Sequence, residues 1–236
     1  GSADEEYGVR AIAVIAAVRA AELLTAFGKN AAHARSIKAK LERVDGQPTI
    51  KKQAAALSLL AGLKADPRLL TKGGASGMST FMSWAILEAA HDFVSPRAAL
   101  DMCRDYYGAM LDKGATTFFE DFDYDAMKDA APITRLARAG EKDVHRDFGA
   151  HCYKGYRHSL CHGWSAGVID YLFSRVTGIR MPESLADDTV TIKSCPGLGD
   201  VQGVFPVLGG SVSVSVRGGK TEAWASGGVK LRVEKP

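Results

Sequence analysis

A chain of 236 residues, 46% apolar and 24% charged, is long enough to bury one large core or two smaller ones and has the make-up of an ordinary globular protein. Its net charge of +3 is spread over scattered Lys and Arg, which argues against a nucleic-acid or membrane-surface partner. No apolar run reaches the roughly 18 residues that a membrane span needs, since even residues 11–26 are broken by Arg19 and Glu22.

Gly1-Ser2 reads as the remnant of a cleaved tag, so the sequence does not disclose a compartment. The four cysteines, Cys103, Cys152, Cys161 and Cys195, are too few and too irregularly spaced for a disulfide scaffold. Cys152 with Cys161 is the one candidate pair for a bridge, which the sequence alone does not establish.

Val9 to Phe27 is apolar nearly all round and ends at Gly28, which predicts a buried helix. Asn30 is an N-cap for a second helix with Ala34, Ile37 and Leu41 on its inner stripe and Arg35, Lys38 and Glu42 facing water. After a turn at Asp45-Gly46-Gln47-Pro48, Ile50 to Leu63 returns to a buried pattern. Pro67 to Leu70 is a short outer turn, and Lys72 to Gly77 is a glycine-rich loop. Thr80 to Phe93, with Phe81, Trp84, Ile86 and Leu87, is another buried helix. Ser95-Pro96 then starts an outer helix to Lys113, whose inward stripe is Ala99, Met102, Cys103, Tyr106, Met110 and Leu111. A long, largely non-periodic stretch from Gly114 to Gly163 follows, and Ser165 to Thr177 is a last inner helix, stopped by Gly178.

Alternating wet and buried helices fit a ring of inner helices jacketed by outer ones. The fold expected is therefore mainly α, a partial α/α toroid over residues 5–180. From about Met181 the pattern becomes β-branched alternation: Thr189 to Ile192, Ser211 to Val216, Thr221 to Ala225 and Val229 to Val233. Gly209-Gly210, Gly218-Gly219 and Gly227-Gly228 punctuate these runs as hairpin turns, so residues 181–236 are expected to form a small antiparallel β module.

The long stretch opens with Gly114-Ala-Thr-Thr-Phe-Phe-Glu120-Asp-Phe and closes with Ser159-Leu-Cys-His162-Gly-Trp164-Ser-Ala-Gly. Long connections in compact domains are commonly functional. These two motifs, in this order, resemble the C-terminal part of bacterial α-L-rhamnosidases, inverting glycosidases with a six-hairpin α/α barrel and a trailing β domain. The similarity extends to Gln53-Ala54, Leu87-Glu88-Ala89, Val190-Thr191-Ile192 and Pro196-Gly197-Leu198-Gly199. The resemblance implies Glu120 as general base and His162 as a residue holding the sugar. It also makes rhamnose-containing glycosides or polysaccharides the expected partners, with no cofactor and no metal. Phe119 stands where the family usually has tryptophan. The family's first half-barrel, with the motif that supplies the general acid, has no counterpart here, so the chain resembles a portion carrying the general-base side of the site.

Read from the residues, Glu120 behind two aromatics suits a carboxylate that positions a water, and it equally suits an ordinary loop glutamate. His162 can hydrogen-bond a sugar hydroxyl or cap the helix beginning at Ser165. Trp164, Phe118 and Phe119 can stack on a pyranose face, and the same positions also fit a core. The cluster His151-Cys152, His158 and Cys161-His162 matches no standard zinc spacing. Arg135, Arg138, Lys142 and Arg146 read as a solvated surface. Three functions stay open: a rhamnosidase-like glycoside hydrolase, a catalytically incomplete carbohydrate-binding or interaction domain, and a six-hairpin enzyme for another deoxysugar or a uronate. An open half-barrel face would also favour self-association.

Overall fold

The computed structural model describes residues 2–43, 51–146, 158–182 and 187–234. The turn expected at Asp45-Gly46-Gln47-Pro48, and His151 and Cys152, lie outside them. The described residues are mainly helical, with strands confined to the C-terminal part. They divide into two compact units. One comprises the described residues of Gly1–Thr49, Leu60–Lys64 and Asp170–Pro236, the other those of Ile50–Leu59 and Ala65–Ile169.

In the first unit, helix α1 runs Ala3–Ala26 and packs on α2, Ala32–Glu42. The start of α1 is earlier than its apolar run suggests, because Ser2 and Glu5 form a reciprocal capping box and Asp4, Glu5 and Glu6 favour the positive end of the helix dipole. The expectation of a helix buried nearly all round is corrected. Tyr7, Ala11, Val14 and Ala17 are covered, whereas Val9, Ile12, Leu23 and Phe27 stay exposed, because one face alone finds a partner. Tyr7 anchors that covered face by donating its hydroxyl to the Lys64 carbonyl at 2.5 Å.

The strands of this unit are β1 (Ile179–Arg180), β2 (Thr189–Ile192), β3 (Val201–Val207), β4 (Gly210–Arg217), β5 (Lys220–Ala225) and β6 (Lys230–Val233). They form two three-stranded sheets, β1-β2-β6 and β3-β4-β5. All pairs are antiparallel except β2 with β6, which is parallel in register Thr189 with Lys230. A parallel pair requires a long crossover, and β3-β4-β5 is that crossover. Gly227-Gly228 therefore closes no hairpin and instead carries the chain from one sheet to the other. The backbone there is so close that a Cβ on Gly227 would lie 1.6 Å from the Gly209 carbonyl oxygen. β3 was hidden by Gly203 and Pro206, and it tolerates the proline because it lies at a sheet edge. Ile179, Val190, Ile192, Val212, Val214 and Val216 form the β core, against which Phe173 packs with its ring 4.8 Å from that of Phe205.

The second unit holds α3 (Lys52–Leu60) as far as Leu59, with α4 (Arg68–Thr71), α5 (Ser83–Phe93), α6 (Pro96–Asp112) and α7 (Tyr124–Met127). Ser95 caps α6 by accepting the Ala98 N–H at 3.0 Å, and proline follows in the first turn. Ala99, Met102, Cys103, Tyr106 and Met110 point inward as their spacing implies, but Leu111 is exposed because it falls off that stripe. The buried tyrosines of α6 tie the non-periodic stretch to the helices. Tyr106 donates to the Phe122 carbonyl at 2.7 Å and Tyr107 to that of Ser165 at 3.1 Å, while Ser83 on α5 meets the Tyr107 hydroxyl at 2.6 Å. Burial pushes the Tyr107 phenol up to about 12, so it is a donor throughout the ordinary pH range.

The expected last inner helix is broken into a 3₁₀ turn at Gly163–Ala166, α8 at Gly167–Tyr171 and a π turn at Leu172–Val176. Gly167 is required at its start, since a Cβ there would lie 2.8 Å from Cβ of Trp84. Among the described residues no helix is long and apolar enough to cross a membrane.

Candidate functional site

The two motifs, some forty positions apart in sequence, lie side by side in the second unit. The His162 N–H donates to the Phe118 carbonyl at 2.8 Å, the Glu120 N–H to that of Ser159 at 2.9 Å, and the Thr117 hydroxyl to that of Leu160 at 2.5 Å. One further rung uses a ring: the Asp121 N–H donates to Nε2 of His158 at 2.9 Å. These bonds make residues 117–121 and 158–162 a single support for the Glu120 side chain.

Glu120 is 5% exposed. Its Oε2 accepts the Ser159 N–H at 2.8 Å, and its Oε1 lies 3.8 Å from Nδ1 of His162. That separation is too long for a direct hydrogen bond. The Glu120 carbonyl oxygen accepts two side-chain donors, the Thr80 hydroxyl at 2.5 Å and the Trp164 indole N–H at 2.6 Å. The imidazole of His162 lies over Trp164, with ring centroids 4.3 Å apart.

His158 is buried, and burial lowers its pKa from 6.5. A neutral ring is what the rung to Asp121 needs, because Nε2 is the acceptor. Around His158 stand Asp121, Glu120 and His145, whose ring centroid is 6.4 Å away.

The glycine-rich loop meets the same stretch. Lys52 is buried and donates its ammonium to the Gly74 carbonyl at 2.5 Å and the Ser76 carbonyl at 2.7 Å, while Gln53 donates to that of Gly77 at 2.6 Å. The Ser76 hydroxyl donates to Asp125 at 2.9 Å. Desolvation brings the Lys52 ammonium down to about 8 against the opposing pull of Asp125.

Of the candidate residues, Glu120, His162 and Trp164 converge. Phe118 is half-buried and packs edge-on to Tyr107, with centroids 6.0 Å apart. Phe119 is corrected: it is fully buried between Phe122 and His158, its carbonyl accepts the Ser165 hydroxyl, and it offers no face to a ligand. Phe81, expected in the core of its helix, precedes α5 and is 51% exposed beside Trp164. Thr80, Phe81 and Ser159 escaped the sequence reading. Ser159 acts through its main chain, which leaves no side-chain signature, and Phe81 was hidden by its place in an apolar run.

The nearby aspartates have structural partners. Asp121 accepts the Phe122 N–H at 2.9 Å, and Asp123 caps α7 through the Ala126 N–H at 3.0 Å. Arg135 and Glu141 form a bidentate pair at 2.6 and 2.9 Å within the basic segment. Among the described residues no group of three or more His, Cys, Asp or Glu is placed to hold a metal ion, and Cys161 is free and exposed.

No protein-family model matches the sequence, and no curated protein matches it.

Proposed function

We propose that the chain is a carbohydrate-active module of the α-L-rhamnosidase type, a partial α/α toroid carrying the general-base side of an inverting site. Glu120 is the base, His162 and Trp164 contact the sugar, and the ligand is a terminal α-L-rhamnosyl group. The observation that carries this reading is the convergence of two distant motifs on one carboxylate. A carboxylate held by a main-chain N–H on one oxygen, with its other oxygen 3.8 Å from a half-exposed imidazole, is equipped to orient a water against an anomeric carbon. A tryptophan whose indole is fixed to the same peptide supports the stacking role.

A second reading, sugar binding without turnover, is favoured by the aspartates. Inversion uses two carboxyl groups about 6.5 to 9.5 Å apart. Asp121, Asp123 and Asp125 are each engaged with a structural donor. The deciding experiment pairs calorimetric titration with L-rhamnose and a nitrophenyl α-L-rhamnoside hydrolysis assay, on the wild type and on Glu120→Gln. Rhamnose binding with negligible turnover is the expected result. Turnover abolished in the variant would show that the chain supplies its own acid, and absence of both binding and turnover would sink the carbohydrate reading.

A further inference from the structure

One helix leaves large apolar side chains open to water along its whole length. On α1 Val9 is 67% exposed, Ile12 47% and Leu23 54%, and Phe27 at its C-cap is 65% exposed. Ala16 and Ala20 are exposed between them. Positions 9, 12, 16, 20, 23 and 27 follow one another by three or four, so all six fall on one stripe about 27 Å long, away from the covered face of Tyr7, Ala11, Val14 and Ala17. A continuous apolar stripe of this kind marks an interaction surface.

The order of residues along the stripe and the charges at its ends select the occupant. The stripe is bulky at both ends and small in the middle, so it matches itself about its midpoint. A second copy laid on it antiparallel sets Val9 against Phe27, Ile12 against Leu23 and Ala16 against Ala20, and the alanines let the two backbones approach. Charge fixes the direction. The first turn of α1 is acidic, with Asp4, Glu5 and Glu6. Its other end is basic, with exposed Lys29 just past the helix and Arg35 of α2, whose guanidinium donates to the Thr25 hydroxyl at 3.2 Å. A parallel pair would set acid against acid and base against base. An antiparallel pair sets each acidic turn beside the basic end of the other copy and opposes the two helix dipoles. Arg19, at the border of the stripe, is offset within its own helix by Glu22 at 2.9 Å.

We propose that the chain forms a twofold-symmetric dimer through α1, in which the two copies of the helix pack antiparallel and cross at Ala16 and Ala20. The dimer does not depend on the carbohydrate reading above.

The test is light scattering and sedimentation equilibrium on the full chain, with far-UV circular dichroism to compare the helix content of each variant. The wild type should be a dimer that weakens as salt is raised. Ile12→Glu and Leu23→Glu place a charge on a side chain already open to water, so each should give a monomer of unchanged helix content. Glu6→Lys and Lys29→Glu should each raise the dimer dissociation constant about tenfold, since twofold symmetry repeats the altered charge contact. The double variant Glu6→Lys with Lys29→Glu should return it to the wild-type value, because only an antiparallel pair brings these two positions together. A wild type that is monomeric at every concentration up to its solubility limit overturns the proposal. So does an oligomer that survives both Ile12→Glu and Leu23→Glu, which would lie on another surface, and so does a double variant no better than the singles, which would rule out the antiparallel arrangement.

Discussion

Glu120 and Ser159 bind each other in both directions: the Glu120 N–H donates to the Ser159 carbonyl at 2.9 Å, and the Ser159 N–H returns to the Glu120 carboxylate at 2.8 Å. The candidate base is thus also a structural tie between the two motifs. Gln at position 120 keeps an acceptor for the Ser159 N–H and loses only the charge assistance, so Glu120→Gln should cost no more than about 1 kcal/mol. Ala leaves a partly buried N–H without its acceptor and should cost about 1–3 kcal/mol. Urea unfolding of the two variants checks this. Equal losses would mean that the carboxylate does not hold the motif together, and a small loss for Gln makes it a sound control for activity.

The rung from Asp121 to His158 gives the site a pH dependence. Burial lowers the His158 pKa from 6.5 in the folded chain, so between 6.5 and the folded value the unfolded chain binds more protons. The contribution to stability is complete above 6.5 and is lost as the pH falls below it, with a slope of at most about 1.4 kcal/mol per pH unit for one group. Glu120 and Asp121 oppose the shift and His145 reinforces it. His158→Gln retains an acceptor and does not titrate. Unfolding of the wild type and the variant at several pH values from 7.5 downward should show the acid loss in the wild type alone; identical profiles would assign it elsewhere.

Lys52 gives the opposite end of the scale. Its folded value of about 8 lies below the 10.5 of a free lysine, so between these pH values the unfolded chain holds the extra proton and stability rises with pH. Lys52→Met should remove that rise. It should also cost about 1–3 kcal/mol near neutral pH, because the Gly74 and Ser76 carbonyls lose a charged donor. Thermal melts at pH 7, 8 and 9.5 measure both effects. A variant as stable as the wild type, with the same pH slope, would show that the ammonium does not anchor the loop.

What was legible in the sequence was local. Ser95-Pro96 and the stripe from Ala99 to Met110 placed α6, since cap, proline and periodicity all act within one helix. The Gly-Gly pairs at 209–210 and 218–219 placed two hairpins, but the third pair, Gly227-Gly228, leads to a parallel partner that no turn signal encodes. The apolar run of α1 could not disclose which of its faces finds a neighbour, hence exposed Val9 and Leu23. Glu120 and His162 stood out as chemistry-bearing side chains. Their supports, the Ser159 main chain and the Thr80 hydroxyl, depend on contacts across long sequence separations that spacing cannot reveal.

The Glu120 carbonyl offers a last prediction because it is shared. Thr80 and Trp164 both donate to this one oxygen, at 2.5 and 2.6 Å, so removing either donor leaves the acceptor satisfied by the other. Thr80→Val and Trp164→Phe should each cost about 1 kcal/mol, the net worth of one ordinary hydrogen bond. Removing both leaves a carbonyl deep in the site with neither side-chain donor, so the double variant should lose more than the sum of the singles, by about 0.5–2 kcal/mol. The cycle is read by urea unfolding with matched slopes for all four proteins. Strict additivity would mean that a third donor or water satisfies the oxygen, and that Thr80 and Trp164 are positioned independently of the Glu120 peptide.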